Sequence, residues 1–166
     1  MSARAPRRVV TGHDASGRGV VLSDGAPPHV REVPDGATFI EVWSTPSTPA
    51  PIAAAEPEPA APGSELGPPA GGTRVRMVVM PPGTRSPLHR TETVDYAIVL
   101  EGSVVLVLDD VERALAPGDV VIQRGTDHAW ENRGDADARV VFVLVNGAFA
   151  QPLLDTLPGA GPSCRS

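Results

Sequence analysis

Short, valine-rich runs separated by turn residues fill the second half of this chain, and they limit what it can fold into. Apolar runs at 74–80, 95–101, 103–109, 119–123 and 139–146 are punctuated by Pro81-Pro82-Gly83, Glu101-Gly102, Asp109-Asp110 and Pro117-Gly118. A helix buries a stripe that returns every 3.6 residues, and no such stripe is present. Branched residues in runs this short pack best on a pleated strand. Strands at hairpin spacing read as antiparallel sheets. Two such sheets facing one another in a jelly roll bury their apolar sides, protect their edges and leave a pocket between them. The fold expected is therefore all-β, a barrel of two facing antiparallel sheets over residues 73–150.

The rest of the chain divides by composition. Residues 1–43 carry further strand-like runs at Arg8–Thr11, Gly19–Ser23 and Thr38–Trp43. Asp14-Ala15-Ser16-Gly17 between the first two fits a hairpin turn, because Asp starts turns and Gly accepts positive φ. Residues 44–72 change character, with proline every few positions. Such a segment can be neither helix interior nor paired strand, and is expected as a loop that wraps the barrel with a poorly ordered Ala/Pro/Glu middle. Residues 151–166 are expected as a flexible tail. At 166 residues the chain is long enough for one domain with its own core.

Charge and cysteine content exclude some functions. The formal charge of −6 argues against nucleic acid as a partner, and the basic start (Arg4, Arg7, Arg8) is too short to alter that. Cys164 is the only cysteine, so no disulfide framework exists, and no run is long enough to span a membrane or form a secretory core. A cytoplasmic protein without membrane contact is the expectation.

Two segments hold the residues that could carry chemistry: GTRSPLHRTETVDYAIVLEG from Gly83 to Gly102, and GDVVIQRGTDHAWEN from Gly118 to Asn132. Residues two apart on a strand share a face. His89 therefore shares one with Thr91, Asp95 with Ala97, and His128 with Trp130, while parity turns Glu92 away from His89. If those faces line the interior, two imidazoles and a carboxylate converge in an apolar cavity. His89, Asp95 and His128 could hold a divalent zinc, iron, manganese or nickel ion with positions left for water or substrate. They could equally act without metal as catalytic acid and base, tuned by burial. Nothing calls for an organic cofactor. Thr91 and Trp130 are expected as pocket walls. Trp43 is expected either to cover the barrel mouth or to anchor the proline-rich loop. Tyr96, at the opposite parity, reads as a packing or interface residue. His13 and His29 read as solvent-exposed, with His13 kept as a minor site candidate. An arginine inside a barrel is costly unless paired and would imply an anionic substrate group; the alternation Arg74-Val75-Arg76-Met77 points the other way, and Arg74, Arg76 and Arg85 are expected to face outward.

Gly83, His89, Asp95 and Gly102, followed by Gly118, Gly125, His128 and Asn132, resemble the paired motifs of the cupin superfamily. Thr91 stands where that pattern has a second histidine and Asp95 where it has glutamate. The phrases RRVVTGHDASGRGVVLSDG, FIEVWST, HRTETVDYAIVLEG and RGTDHAWENRGDADARVVFVLV are similar to small single-domain cupins found beside polyketide and other secondary-metabolite genes. The resemblance implies a lyase, foremost a dehydratase, otherwise a decarboxylase or cyclase, acting on a small polyketide-like or aromatic molecule. A metal-dependent dioxygenase and a non-catalytic ligand-binding barrel are the alternatives. It also implies a homodimer, with a strand such as Arg8–Thr11 adding to the partner's sheet.

Overall fold

A computed structural model describes residues 5–59, 65–157 and 163–165; Arg4 lies outside them. The strands are β1 (Arg8–His13), β2 (Gly19–Gly25), β3 (His29–Glu32), β4 (Thr38–Thr45), β5 (Thr73–Met80), β6 (Leu88–Arg90), β7 (Thr93–Glu101), β8 (Val104–Val107), β9 (Glu112–Leu115), β10 (Val120–Arg124), β11 (Ala129–Glu131), β12 (Ala138–Asn146) and β13 (Ser163–Arg165). One helical turn, α1 (Gln151–Leu154), follows β12.

The larger sheet has the order β10-β7-β12-β5-β4-β3 and the smaller β11-β8-β9, with antiparallel neighbours throughout. One cluster closes the space between them: Val78, Ala97, Val99 and Val140 from the larger sheet meet Val104, Leu106 and Trp130 from the smaller side. This is the jelly-roll arrangement, and the valine-rich runs form its long strands.

Strand β7 shows how parity builds the interior. Thr93, Asp95, Ala97 and Val99 are buried, whereas Tyr96 between them is exposed. Strand β5 is buried on both faces. Met77 and Val79 pack with Ile40, Val42 and Ala5 on one side, while Val78 and Met80 enter the main core on the other.

That parity overturns the expectation for two arginines. Arg74 and Arg76 share a face with Val78 and Met80, and they are 7% and 4% exposed. Arg76 lies opposite Glu41 of β4, whose carboxylate accepts from its Nε at 2.8 Å. The charge is tolerated inside because a partner strand supplies the counter-ion, which no local pattern in β5 reveals. Arg85 does face outward, against Glu131.

The N-terminal strands form a hairpin of their own, β1 with β2, around the expected turn. There Asp14 Oδ1 accepts from the Ser16 and Arg18 amides, and Gly17 takes φ +78°. Residues 46–59 and 65–72 hold no strand, and the first of these stretches is pinned to β1 by His13 N–H to Ala54 O and by Arg8 to Glu58; residues 60–64 of the loop's expected poorly ordered middle lie outside the described residues. The segment expected as a flexible tail contains α1, and β13 pairs with β6, whose edge the main sheets leave open.

Glycine is required at Gly102, where the β7–β8 hairpin turns. Its φ is +68°, and a Cβ there would sit 2.6 Å from the Asp137 carbonyl oxygen.

Candidate functional site

The two histidines meet through their backbones. His89 N–H donates to His128 O at 3.0 Å and His128 N–H to His89 O at 2.9 Å, an antiparallel bridge that sets the ring centroids 4.3 Å apart. Behind this bridge, on the opposite parity, Arg90 and Asp127 form a buried ion pair at 3.3 Å. The residues adjoining each histidine thus fasten the two segments together.

His89, Thr91, Asp95, His128 and Trp130 all line one cavity of about 330 Å³ between the sheets, with Phe39, Val78, Met80, Phe142 and Leu144 among its apolar walls. Trp130 meets Phe142 edge-on at 5.2 Å and is 4% exposed. Trp43 does not reach this cavity. After a bulge in β4 it pairs with Val75, on the face opposite to Arg76, and the Arg8 guanidinium lies 5.6 Å from its ring. It borders a crevice with Glu58 and Pro59 of the proline-rich segment, the anchoring role rather than the mouth-covering one. His13 is exposed on the hairpin, while His29 is half-buried, its Nε2 3.1 Å from Pro59 O. Glu92 lines a different crevice, with Arg124 and Phe149.

Hydrogen bonds orient each ring. His89 Nδ1 lies 2.9 Å from Pro87 O. A carbonyl only accepts, so Nδ1 carries the proton and Nε2 keeps its lone pair. His128 Nδ1 lies 3.0 Å from Thr126 O and 3.1 Å from Gln123 Nε2. Among the described residues, no side chain or backbone group engages Nε2 of either ring. Burial, reinforced by the charge of His89, pushes His128 down to about 4 and keeps it neutral.

Asp95 is 4% exposed, and its Oδ1 has no hydrogen-bond partner among the described residues. Burial raises its carboxyl to about 6, against the opposing effects of the Thr93 hydroxyl and the Arg76 charge. Thr93 has one hydroxyl proton and gives it to Asp95, so across their 2.7 Å contact Thr91 donates to Thr93. Thr91 therefore begins a hydroxyl chain that orients the carboxyl.

The donor set bears on a metal ion. Among the described residues no three His, Cys, Asp or Glu side chains are gathered closely enough to hold one. His89, Asp95 and His128 share the cavity without assembling the expected three-ligand set, and Thr91, where the pattern has histidine, turns its hydroxyl to Thr93. The residues as arranged do not fit a resident ion, and no step is derived through one.

Opposed titrations predict a specific stability profile. Asp95 ordinarily titrates at 3.8 and here at about 6, so the folded state holds its proton longer and stability falls as pH rises through that window. His128 moves from 6.5 to about 4, so the unfolded chain binds the extra proton and stability falls as pH drops through that window. Each effect is about 3 kcal/mol, and in the wild type they nearly cancel. Asp95→Asn removes the first. It is expected to stabilise the protein at neutral pH by up to about 3 kcal/mol, with the gain gone near pH 4, read from urea denaturation across that range.

Comparison with known proteins agrees with this architecture. Residues 76–144 match the family described as Cupin domain. The chain is 39% identical over 152 residues to Phomopsin biosynthesis cluster protein C' of Diaporthe leptostromiformis, covering 86% of this chain and 79% of that one. The chain belongs to the cupin family. This cupin is also 36% identical over 163 residues to the Cupin-domain-containing oxidoreductase fogC of Aspergillus ruber, covering 90% and 80% of the two chains. Two solved structures show the same fold at low identity. The Schizosaccharomyces pombe Cnp3 cupin domain superposes with a TM-score of 0.53 at 12% identity, over 88% of this chain and 97% of that one. A Klebsiella pneumoniae protein with a double-stranded β-helix domain gives 0.53 at 17%, over 83% and 91%. Among the described residues no helix is long and apolar enough to cross a membrane.

Sequence reasoning missed Gln123, Arg31, Glu41 and the inward course of Arg76. Gln123 stands opposite Asp95 in the sheet and touches His128, and its place within the second motif was the one available signal.

Proposed function

We propose that this cupin is an enzyme, a lyase that removes water from a small, largely apolar oxygenated molecule. One observation carries the reading: an apolar cavity holds an imidazole with a free Nε2 lone pair, a buried carboxyl whose Oδ1 has no partner, and a Trp130 Nε1–H that is also unsatisfied among the described residues. Buried polar groups left without partners point to a ligand that supplies them.

His89 Nε2 takes a proton from the carbon next to a substrate carbonyl. His128 stays neutral with its Nδ1–H on Thr126 O, and the Trp130 Nε1–H, without a partner among the described residues, donates to the oxygen as enolate charge develops. Asp95, in the protonated form that burial extends up to about pH 6, hands its proton to the departing hydroxide, which leaves as water while the carbon–carbon double bond forms. The proton on His89 then returns to Asp95, and the enzyme is regenerated.

The test is to incubate purified protein with the intermediate that accumulates when its gene is deleted. The expected product has lost one water, with no oxygen consumed. A second reading draws on the oxidoreductase name of relatives such as fogC, and makes the protein an oxygenase. Oxygen uptake that depends on added Fe(II), with oxygen incorporated into the product, would replace the dehydration reading. We also place the protein in solution as a homodimer, which sedimentation equilibrium would measure.

A further inference from the structure

One end of the cavity holds an arginine whose donors are not all engaged. Arg31 lies on β3 directly opposite Phe39 of β4, with its guanidinium 5.0 Å from the ring centroid, and both residues line the cavity. Arg76 sits 4.4 Å from the same ring. Among the described residues Glu41 is the carboxylate ion-paired here: it accepts from Arg76 Nε at 2.8 Å, and Arg74 Nε is 3.9 Å away. Arg76 Nη1 also donates to Leu66 O at 3.1 Å, which brings the end of the proline-rich segment over the cavity. Asp35 lines the cavity too, but its Oδ1 accepts from the Ala37 amide at 3.0 Å. Arg31 is left with Nε and Nη2 buried and no hydrogen-bond partner or ion pair among the described residues.

A guanidinium whose Nε and Nη2 are both buried and unsatisfied is costly to keep, and that edge matches the two oxygens of a carboxylate. From this, and resting on the reading of the cavity as the substrate site, we infer that Arg31 is a specificity-determining residue that binds a carboxylate on the substrate. Phe39 holds the guanidinium from the side, and Glu41, already engaged by Arg76, is not spent on Arg31. The apolar walls accept the body of the molecule. The substrate class is thus a small apolar or aromatic acid, bound with its carboxylate at Arg31 and its reacting carbons toward His89.

The test compares benzoate with its neutral isostere benzamide on the full chain, by calorimetry. Benzoate is expected to bind wild type at least ~10-fold more tightly than benzamide, since hydrogen bonds to a charged group are the strong ones. Arg31→Gln is expected to weaken benzoate by roughly 10- to 100-fold and leave benzamide unchanged. Equal affinities for the two probes, binding of neither at millimolar concentration, or benzoate binding unaffected by Arg31→Gln would each overturn the inference. The wild-type comparison stands whether or not the variant folds. His89→Ala separates this inference from the lyase reading. Unchanged turnover in that variant removes the lyase reading, while the benzoate result continues to decide the anion site.

Discussion

Replacing His89 with alanine is expected to lower kcat by about 10²–10⁴-fold and to leave KM little changed, because a positioned base acts in the transition state rather than in binding. The Pro87 carbonyl fixes which nitrogen of His89 bears the proton, so the lone pair is already aimed when substrate arrives. His128 cannot take over. Its burial and the neighbouring imidazole hold it at about 4, which makes it a poor base. The pH profile carries the second half of the expectation. Only protonated Asp95 can release hydroxide as water, so kcat falls as pH rises through about 6. Asp95→Asn removes that limb together with most of the rate. A wild-type rate that is level from about pH 5 to about pH 8, or a His89→Ala enzyme of normal kcat, would end the assignment.

The Asp95 expectations oppose each other in an informative way. The same substitution is expected to stabilise the folded chain at neutral pH and to disable it. A carboxyl with a bare buried oxygen destabilises the fold, and such a group persists where function requires it. A purely structural Asp95 would show a loss in both measurements.

How far the site was legible follows from which interactions are local. Parity within a strand is local, and it is enough to turn His89, Thr91, Asp95, His128 and Trp130 toward one cavity. Pairing between distant strands is not local. Arg76 is interior because Glu41, thirty-five residues earlier, lies opposite it, and nothing in Arg74-Val75-Arg76-Met77 reports that. Trp43 left the cavity through a bulge that shifts register between Glu41 and Trp43, and a bulge has no reliable sequence sign. The short strands β3 and β9, with sequences HVRE and ERAL, are too polar to read as strands, and their neighbours' edges recruit them. Arg31 was hidden for the same reason. The long valine-rich strands were legible because branched residues at short spacing leave few alternatives.

Asn132→Ala is expected to destabilise the fold by about 3–5 kcal/mol, a large share of the roughly 5–15 kcal/mol that holds a domain together. Asn132 is fully buried, and every polar atom of its side chain is in use. Nδ2 donates to Met80 O at 2.7 Å and to Ala136 O at 2.9 Å, and Oδ1 accepts from the Gly134 amide at 2.9 Å. Alanine leaves two carbonyls and an amide with neither partner nor water, and each carries its own desolvation cost of about 1–3 kcal/mol. The backbone at this position also links the two motifs: Asn132 N–H donates to Thr84 O, and Gly83 N–H donates to Asn132 O. Loosening this corner therefore strains the turn that leads into His89. The midpoint of thermal unfolding is expected to fall by roughly 6–20 °C, while kcat of the fraction that remains folded stays within about an order of magnitude of wild type. Aspartate is the sharper control. It preserves size and keeps the Gly134 contact, but it turns two donors into an acceptor facing two carbonyls, so Asn132→Asp is expected to be at least as damaging. If Asn132→Asp were instead neutral, the side chain would be filling space rather than bonding, and the structural account of the motif asparagine would have to be abandoned.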